Sequence, residues 1–264
     1  MQDLTIGLVQ YDILWEQPQK NLEFLEELLY RSAPADLILL PEMFNTGFSM
    51  EAAKVSEEES GPALQWLLKV SAHLNCAIGG SVAIREGNNY FNRFLVADCG
   101  KLICRYDKHH LFSMAGEEKI YTAGSEQVIF ELKGWKIKPL VCYDLRFPIW
   151  CYNTAEADLM VFCANWPDAR SEHWRKLLLA RAIENQCFVA GVNRIGADHH
   201  GMQHSGYSAI ISPRGITQCE IVNEEGVFVH TLDKNLVNEF RASLGALQEG
   251  ISDLHLRSTD EERL

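Results

Sequence analysis

The stretch KIKPLVCYDLRFP, residues 136–148, predicts a buried strand that leads directly into a reactive side chain. The run from Ile137 to Val141 is mostly apolar and ends at Cys142, so the thiol lies where the strand leaves the sheet. A helix should follow, because Pro148 lacks the amide hydrogen that has no partner in the first turn of a helix. In an open α/β sheet, ligands bind at the carboxyl ends of the strands, which favours a functional Cys142. A buried, inert thiol is the alternative, since free cysteines are among the most buried residues.

Two further apolar runs also end at reactive side chains. The run from Ala35 to Leu40 (ADLILL) is followed, after one proline, by Glu42, and a carboxylate so close to a buried strand is costly unless it is paired. The run from Lys101 to Lys108 (KLICRYDK) ends in a lysine. Three strands thus each carry one reactive side chain just past their last apolar residue. If these strands lie in one sandwich, Glu42, Lys108 and Cys142 can meet.

The chemistry open to these three residues follows from the small fraction of thiolate that a free cysteine has at neutral pH. Its free pKa near ~8.5 leaves little thiolate at neutral pH, so a cysteine nucleophile needs a neighbouring base or cation. Glu42 can accept the proton, and the Lys108 ammonium can stabilise the oxyanion of a tetrahedral intermediate. The backbone amide of Tyr143 is a further donor to that oxyanion. The set predicts acyl transfer from a carbon–nitrogen bond to sulfur, followed by hydrolysis.

Three motifs that carry these residues resemble the Glu-Lys-Cys motifs of the nitrilase superfamily of carbon–nitrogen hydrolases. They are PEMF at 41–44, YDKHHLF at 106–112 and VCYDLRFP at 141–148. ANWP at 164–167 and RAIENQCFVAGVNRIG at 181–196 are similar to later segments of that superfamily, so the resemblance covers nearly the whole chain. The most similar branch is that of the omega-amidases.

This resemblance implies a role for each reactive residue. Glu42 is the general base, Lys108 stabilises the transition state and Cys142 is the nucleophile. Members of the superfamily carry a second glutamate that supports the lysine, seven residues before a glycine. That spacing selects Glu117, with its neighbour Glu118 as the alternative.

The resemblance also implies an activity. Omega-amidases hydrolyse the distal amide of small dicarboxylic acid monoamides, such as 2-oxoglutaramate or succinamate, to acid and ammonia through a cysteine thioester. Substrate and water are the only reactants, and no cofactor is implied. The superfamily pairs its sandwiches across a two-fold axis, which predicts a homodimer. The alternatives are an amidase or N-carbamoyl amidase of another small acid, and a non-catalytic binding protein with the nitrilase fold.

Residues near the three motifs predict the substrate pocket. Phe44, Phe112 and Trp166 follow strand ends and are expected to crowd one small pocket that admits only small linear amides, although a tryptophan is more often a core residue. Arg170 can offer a bidentate fork to the substrate carboxylate. Arg146 is interpreted as structural.

Composition limits the class of protein. The chain has 264 residues, 47% of them hydrophobic, which suits one domain over 1–264, with a polar, extended tail from about 247. A net charge of −12 argues against a nucleic acid partner. No signal peptide or membrane-spanning run is visible. The eight cysteines are therefore read as reduced thiols of a cytoplasmic protein.

The order of apolar runs predicts the fold class. A β-α-β unit opens the chain, and hairpins follow at 85–89 and 133–134, which indicates mixed sheets. Ser171 and Asp233 are the expected N-caps of two later helices. With about twelve strands and four or five main helices, the pattern fits the α-β-β-α sandwich of the nitrilase superfamily, an α/β fold with two mixed sheets in four layers.

Other chemistries have weaker signals. Adjacent histidines on a strand point to different sides, and the later histidines lie in a glycine-bearing loop with no helix to align them, so no metal site is predicted. The histidines concerned are His109, His110, His199, His200 and His204. The sequence contains no phosphate-binding glycine loop and no G-x-S-x-G motif, which argues against nucleotide binding and a serine hydrolase.

Overall fold

A computed structural model describes residues 2–251, which form thirteen strands and six α-helices. The strands are β1 (Leu4–Gln10), β2 (Leu37–Leu39), β3 (Ala77–Glu86), β4 (Asn89–Asp98), β5 (Lys101–Asp107), β6 (Phe130–Leu132), β7 (Trp135–Val141), β8 (Leu159–Ala164), β9 (Phe188–Asn193), β10 (Ile195–Ala197), β11 (Gln203–Ile211), β12 (Thr217–Val222) and β13 (Gly226–Leu232). The helices are α1 (Pro18–Tyr30), α2 (Ala52–Val55), α3 (Pro62–Leu74), α4 (Pro148–Cys151), α5 (Ser171–Asn185) and α6 (Lys234–Ser243).

The strands form two mixed sheets, as predicted. The first has the order β13-β1-β2-β3-β4-β5, and the second has the order β10-β11-β9-β8-β7-β6 with β12 beside β11. In each sheet three neighbouring strands are parallel, namely β1, β2 and β3 in the first and β7, β8 and β9 in the second. The outer pairs are antiparallel. Both sheets therefore combine β-α-β units with hairpins.

Alternation along the strands assigns the two faces of each sheet. In β1, Leu4, Ile6 and Leu8 join the large core between the sheets, whereas Val9 belongs to a second core under α1 and α3. Helix α5 covers the second sheet. Its Trp174 packs so closely on Gly191 of β9 that a Cβ at position 191 would lie 2.7 Å from a ring atom of the tryptophan. The predicted four-layer α-β-β-α sandwich is confirmed, and the site lies where the two sheets meet at their strand ends.

The local structure after Cys142 differs from the helix that the sequence predicts. Residues Cys142–Arg146 form one 3₁₀ segment, and α4 is a single turn that begins at Pro148, as expected. Phe147 between them is extended (φ −110°, ψ 94°), because the residue before a proline is sterically disfavoured in the α region. The nucleophile candidate is therefore followed by a short, tight turn.

Two other local predictions need comment. Asp233 caps α6 by accepting a hydrogen bond from the Asn235 N–H, as predicted, but Ser171 is the first helical residue of α5 and makes no capping bond. Residues 246–251 are helical rather than extended, because Leu247 is buried against the body of the protein. The remainder of the predicted tail, 252–264, lies outside the described residues. Within residues 2–251 no helix is both long and apolar enough to cross a membrane.

Candidate active site

The three strand-end residues singled out in the sequence come together in the structure. Glu42 follows β2 and Lys108 follows β5 in the first sheet, while Cys142 follows β7 in the second. The Lys108 Nζ lies 2.9 Å from Glu42 Oε1, and the two side chains are at most 1% exposed. Cys142 lines the same cavity as Glu42 and Lys108, and the Glu42 charge acts on the pKa of its thiol. The three reactive side chains thus share one site.

Glu117, rather than Glu118, completes the charged cluster. Its carboxylate oxygens lie 3.0 and 2.9 Å from Lys108 Nζ, and Oε2 also accepts a hydrogen bond of 2.6 Å from the Phe112 N–H. Glu117 is fully buried, whereas Glu118 is exposed on the same 3₁₀ turn. The seven-residue spacing to a glycine therefore selects the glutamate that contacts the lysine.

Two asparagines that the sequence reasoning did not identify hold Glu42 in place. Asn92 in β4 donates to Glu42 Oε1 at 2.8 Å, and the Asn165 N–H donates to Oε2 at 2.9 Å. The Asn165 side-chain amide donates to the Glu42 carbonyl. An amide side chain inside the strand-forming run at 90–98 was the sequence signal for Asn92, and Asn165 lies in the ANWP motif. Both oxygens of the Glu42 carboxylate are thereby oriented.

The electrostatics of the cluster favour a neutral Cys142 thiol and a charged Lys108 ammonium. Burial, and next the Glu42 carboxylate, raise the pKa of the Cys142 thiol well above its ordinary value, while Lys108 opposes them. Burial alone would lower the pKa of the Lys108 ammonium, but the charges of Glu117 and Glu42 raise it well above its usual range. Burial raises the pKa of Glu117, against the opposing charge of Lys108. At neutral pH the cysteine is protonated and the lysine is charged.

A cavity of about 920 Å³ opens beside the cluster. The predicted pocket residues Phe112, Tyr143, Trp166 and Arg170 all line it. This volume lies near the upper end of the range for pockets that bind drug-sized ligands, so the prediction of a small pocket is wrong. Space alone does not restrict the site to small linear amides.

Phe44 does not line the cavity, which corrects another prediction. It is fully buried, and its ring packs against Trp66 of α3 with 5.8 Å between centroids. The chain turns at Met43, whose φ is 43°, and Phe44 lies in the core beneath the outer helices. Phe48 lines the cavity instead, with its ring centroid 5.0 Å from Lys108 Nζ.

Arg146 was interpreted as structural, but it lies in the cavity wall together with Arg170. Its guanidinium is 4.6 Å from the ring centroid of Trp166, and that of Arg170 is 5.4 Å from the ring centroid of Phe112. Within residues 2–251 neither arginine forms an ion pair with a carboxylate. Burial, and also the charge of Arg170, lower the pKa of Arg146. Two arginines with no carboxylate partner in the described part of the chain therefore line one cavity.

Other residues that line the cavity are polar and already have partners. Glu16 accepts hydrogen bonds from Ser49 and from Lys54, and the Trp15 ring stacks on His199 with 5.4 Å between centroids. His200 and His204 also line the cavity. Across residues 2–251 no group of three or more His, Cys, Asp or Glu side chains is arranged to hold a metal ion. Among the described lysines and arginines that line the cavity, Lys54 and Lys108 are paired with glutamates, whereas Arg146 and Arg170 have no carboxylate partner.

The chain resembles known proteins along nearly its whole length. The carbon–nitrogen hydrolase family profile matches residues 5–242. Omega-amidase YafV of Yersinia enterocolitica is 46% identical over 220 residues, which cover 83% of this chain and 86% of that protein. A 2-oxoglutaramate amidase of Bacillus subtilis is 37% identical over 257 residues, which cover 95% of this chain and 99% of that protein.

The fold has a similar relative of known structure. A carbon–nitrogen hydrolase superfamily protein from Xanthomonas campestris, solved with an arsenic adduct in its active site, has a TM-score of 0.91 and 43% identity, over 94% of this chain and 97% of that one. These similarities confirm the resemblance to the nitrilase superfamily and the prediction of an amidase. By its sandwich, its sequence and its relatives, the chain belongs to the carbon–nitrogen hydrolase family, in the omega-amidase branch of the nitrilase superfamily.

Proposed function

We propose that this enzyme hydrolyses the distal amide of small dicarboxylic acid monoamides, of the 2-oxoglutaramate or succinamate type, to the dicarboxylic acid and ammonia. The observation that carries the proposal is the arginine pair in the wall of the cavity that Glu42, Lys108 and Cys142 also line. A monoamide of this kind has a carboxylate at one end for the arginines and an amide at the other for the cysteine. The names of the Yersinia and Bacillus relatives point to the same substrate class.

Acylation begins at the thiol, with Glu42 as the general base. Glu42 takes the proton of Cys142, and the sulfur attacks the amide carbonyl to form a tetrahedral intermediate. The Lys108 ammonium and the Tyr143 N–H hold the oxyanion, and Glu117 keeps the lysine charged and in place. Glu42 then passes its proton to the amide nitrogen, the carbon–nitrogen bond breaks, and ammonia leaves a thioester on Cys142.

Hydrolysis of the thioester reuses the same groups. Glu42 takes a proton from a water molecule, whose oxygen attacks the thioester carbonyl. The second tetrahedral intermediate collapses with loss of the thiolate, which recovers its proton from Glu42. The three hydrogen bonds that Glu42 accepts from Lys108, Asn92 and Asn165 suit a carboxylate that must face both the sulfur and the incoming water. Atoms balance as amide plus water to acid plus ammonia.

Arg146 and Arg170 are proposed to bind the substrate carboxylate. A planar guanidinium pairs with a carboxylate through two parallel hydrogen bonds. Among the described residues these two guanidinium groups contact aromatic rings and, for Arg146, the His173 ring, but no carboxylate. Their charges repel each other, so both gain stability when an anion binds between them. The role first predicted for Arg170 is therefore extended to Arg146.

A panel of amides tests the proposal by ammonia release. Succinamate and 2-oxoglutaramate should have a higher kcat/KM than butyramide, which lacks the carboxylate. Arg146→Ala and Arg170→Ala should reduce the difference in kcat/KM between the charged and the neutral amides, mainly by raising KM for the charged ones. Arg175→Ala is the matched control, since that arginine is paired with Glu172 and Glu220 on the surface. Equal kcat/KM for charged and neutral amides would remove the dicarboxylate assignment.

The volume of the cavity favours a second candidate, an amidase or N-carbamoyl amidase that acts on a larger acid. The same cluster would cleave such a substrate by the same steps. Longer acids and N-carbamoyl amino acids belong in the amide panel for this reason. If they exceed the dicarboxylic monoamides in kcat/KM, this second candidate replaces the first.

We further propose that the enzyme is a cytoplasmic homodimer built from one domain over 1–264. The superfamily resemblance supports the dimer, and the free cysteines suit a reducing compartment. Light scattering should give about twice the chain mass of 29.9 kDa at micromolar concentration. A monomer mass under those conditions would contradict the dimer.

A further inference from the structure

Asp144 is a fully buried carboxylate that the proposed mechanism does not use. Its Oδ1 accepts a hydrogen bond of 2.9 Å from the His110 N–H and lies 3.0 Å from His110 Nδ1. Its Oδ2 accepts from the Tyr106 hydroxyl at 2.7 Å and from the Val141 N–H at 3.1 Å. One carboxylate therefore has four partners, and two of them are backbone amides.

Those two amides flank the reactive residues of two different sheets. His110 lies two residues after Lys108, which follows β5 of the first sheet, and Val141 directly precedes Cys142 at the end of β7 in the second. Along the chain, 33 residues lie between Lys108 and Cys142. The Asp144 carboxylate is thus a direct link between the segment that carries the lysine and the turn that carries the cysteine.

The turn needs such support because Cys142 has a φ of 43°. The left-handed region is unfavourable for a residue with a Cβ, and it persists only where surrounding contacts determine it. The hydrogen bond from the Val141 N–H to Asp144 closes the turn around Cys142. Without it, the backbone can relax toward a φ that moves the thiol away from Glu42.

Aromatic contacts strengthen the same link. The His110 ring stacks on Phe147 with 3.6 Å between centroids, and the His109 ring stacks on Trp150 at the same distance. The Trp150 indole N–H donates to the Tyr106 hydroxyl at 2.9 Å. The two histidines that follow Lys108 therefore pack on the two aromatic residues that follow the cysteine turn.

We propose that Asp144, held by His110, is a positioning residue that fixes the Cys142 sulfur relative to Glu42 and Lys108. This inference rests on the catalytic roles proposed above for those three residues. It also gives the adjacent histidines a function other than metal binding.

Asp144→Asn is the direct test, because the asparagine side chain has the same shape but only one acceptor oxygen. The Val141 and His110 N–H groups are fixed donors on opposite oxygens, so the new amide NH₂ must face one of them. A displacement of about 1 Å can cost roughly 10²-fold in rate, so kcat should fall by about that factor. Alkylation of Cys142 by iodoacetamide, measured by peptide mass spectrometry against pH, should show a shifted profile.

Two control variants separate positioning from a loss of folding. Tyr106→Phe removes one donor to the same carboxylate but keeps both backbone amides on it, so kcat should fall much less than in Asp144→Asn. Asp158→Asn alters another buried aspartate, which is bonded to the Lys136 N–H and to Lys234 and does not line the cavity, and should leave the alkylation profile unchanged. If Asp144→Asn does not fold, His110→Ala replaces it, with a smaller loss of kcat expected.

The outcomes distinguish this inference from the proposed function. A folded Asp144→Asn protein with wild-type kcat and a wild-type alkylation profile overturns the positioning role, and so does a wild-type His110→Ala. If the wild-type enzyme releases no ammonia from any monoamide, the proposed function fails. The alkylation comparison still tests the position of the Cys142 sulfur in that case, because it needs no substrate.

Discussion

Replacement of Lys108 by methionine removes one charge from the centre of the cluster and keeps the volume of the side chain. The Lys108 ammonium lies 2.9 to 3.0 Å from oxygens of Glu42 and Glu117, and its side chain is completely buried. The proposed oxyanion loses its charged donor in Lys108→Met. Loss of one such donor typically lowers kcat by ~10²- to 10³-fold, or about 2.7–4 kcal/mol of transition-state stabilisation.

The KM of a dicarboxylic monoamide should change little in this variant, because the arginine wall rather than Lys108 is proposed to bind the substrate carboxylate. Ammonia release at several substrate concentrations separates the two parameters. A tenfold increase in KM with an unchanged kcat would refute the reasoning, since Lys108 would then bind the substrate in its ground state.

The same variant should also be less stable, in a pH-dependent way. Removal of one partner from a buried ion pair costs about 3–5 kcal/mol, because a buried charge is left uncompensated. Burial already raises the pKa of Glu117, and without the lysine that pKa rises further. A group with a raised folded-state pKa stabilises the fold when it is protonated, so the stability of Lys108→Met should fall as pH increases. Thermal unfolding at pH 5 and pH 8 measures this trend.

Lys138→Met is a matched control for the loss of a buried lysine. Lys138 is 3% exposed, but its ammonium donates to Gln127 Oε1 and to two backbone carbonyls rather than to carboxylates, and it does not line the cavity. This control should lower stability and leave kcat of the folded enzyme unchanged. A loss of kcat equal to that of Lys108→Met would show that the assay reports folding rather than charge.

Two further predictions concern the nucleophile and the pH dependence of stability. Cys142→Ala should abolish hydrolysis while circular dichroism and thermal unfolding remain close to wild type, and turnover above a few per cent of wild type would contradict a covalent mechanism. Burial raises the pKa of Glu57, beneath the start of α3, to about 7, so its contribution to stability is fully present below the unfolded pKa and is lost as pH rises through about 7. Glu57→Gln should therefore raise Tm at pH 8 and not at pH 5, and an equal shift at both values would exclude titration of this carboxyl.

The reactive residues were predictable because each depends on local sequence. An apolar run long enough for one strand, followed at once by an ionisable side chain, marks Glu42, Lys108 and Cys142 without knowledge of their neighbours. The packing of the two sheets then brings together the ends of β2 and β5 in the first sheet and of β7 in the second. The motif spacing of the resemblance pointed to Glu117 and left Glu118 as the alternative, and the contact with Lys108 distinguishes the two.

Pocket residues were less predictable because they depend on single backbone dihedrals. Two residues after Glu42, Phe44 was expected in the cavity, but the positive φ of Met43 turns the chain, and Phe48 lies there instead. Arg146 follows Cys142 by four residues, and only the 3₁₀ turn, rather than a longer α-helix, brings it beside Trp166. A change of one dihedral redirects a side chain by several ångströms, and no periodicity in the sequence records it.

By itself, the sequence determined an α/β fold with mixed sheets and the positions of Glu42, Lys108 and Cys142, because apolar periodicity and strand-end chemistry are properties of contiguous residues. The four-layer sandwich was implied by the resemblance of its motifs to the nitrilase superfamily. Only the tertiary structure decided what holds them in place and what surrounds them. Asn92, Asp144 and the arginine wall act through contacts between segments that are far apart in the chain or belong to different sheets. Such contacts depend on how the two sheets face each other, and that arrangement is fixed by the packing of the whole core rather than by any one stretch of sequence.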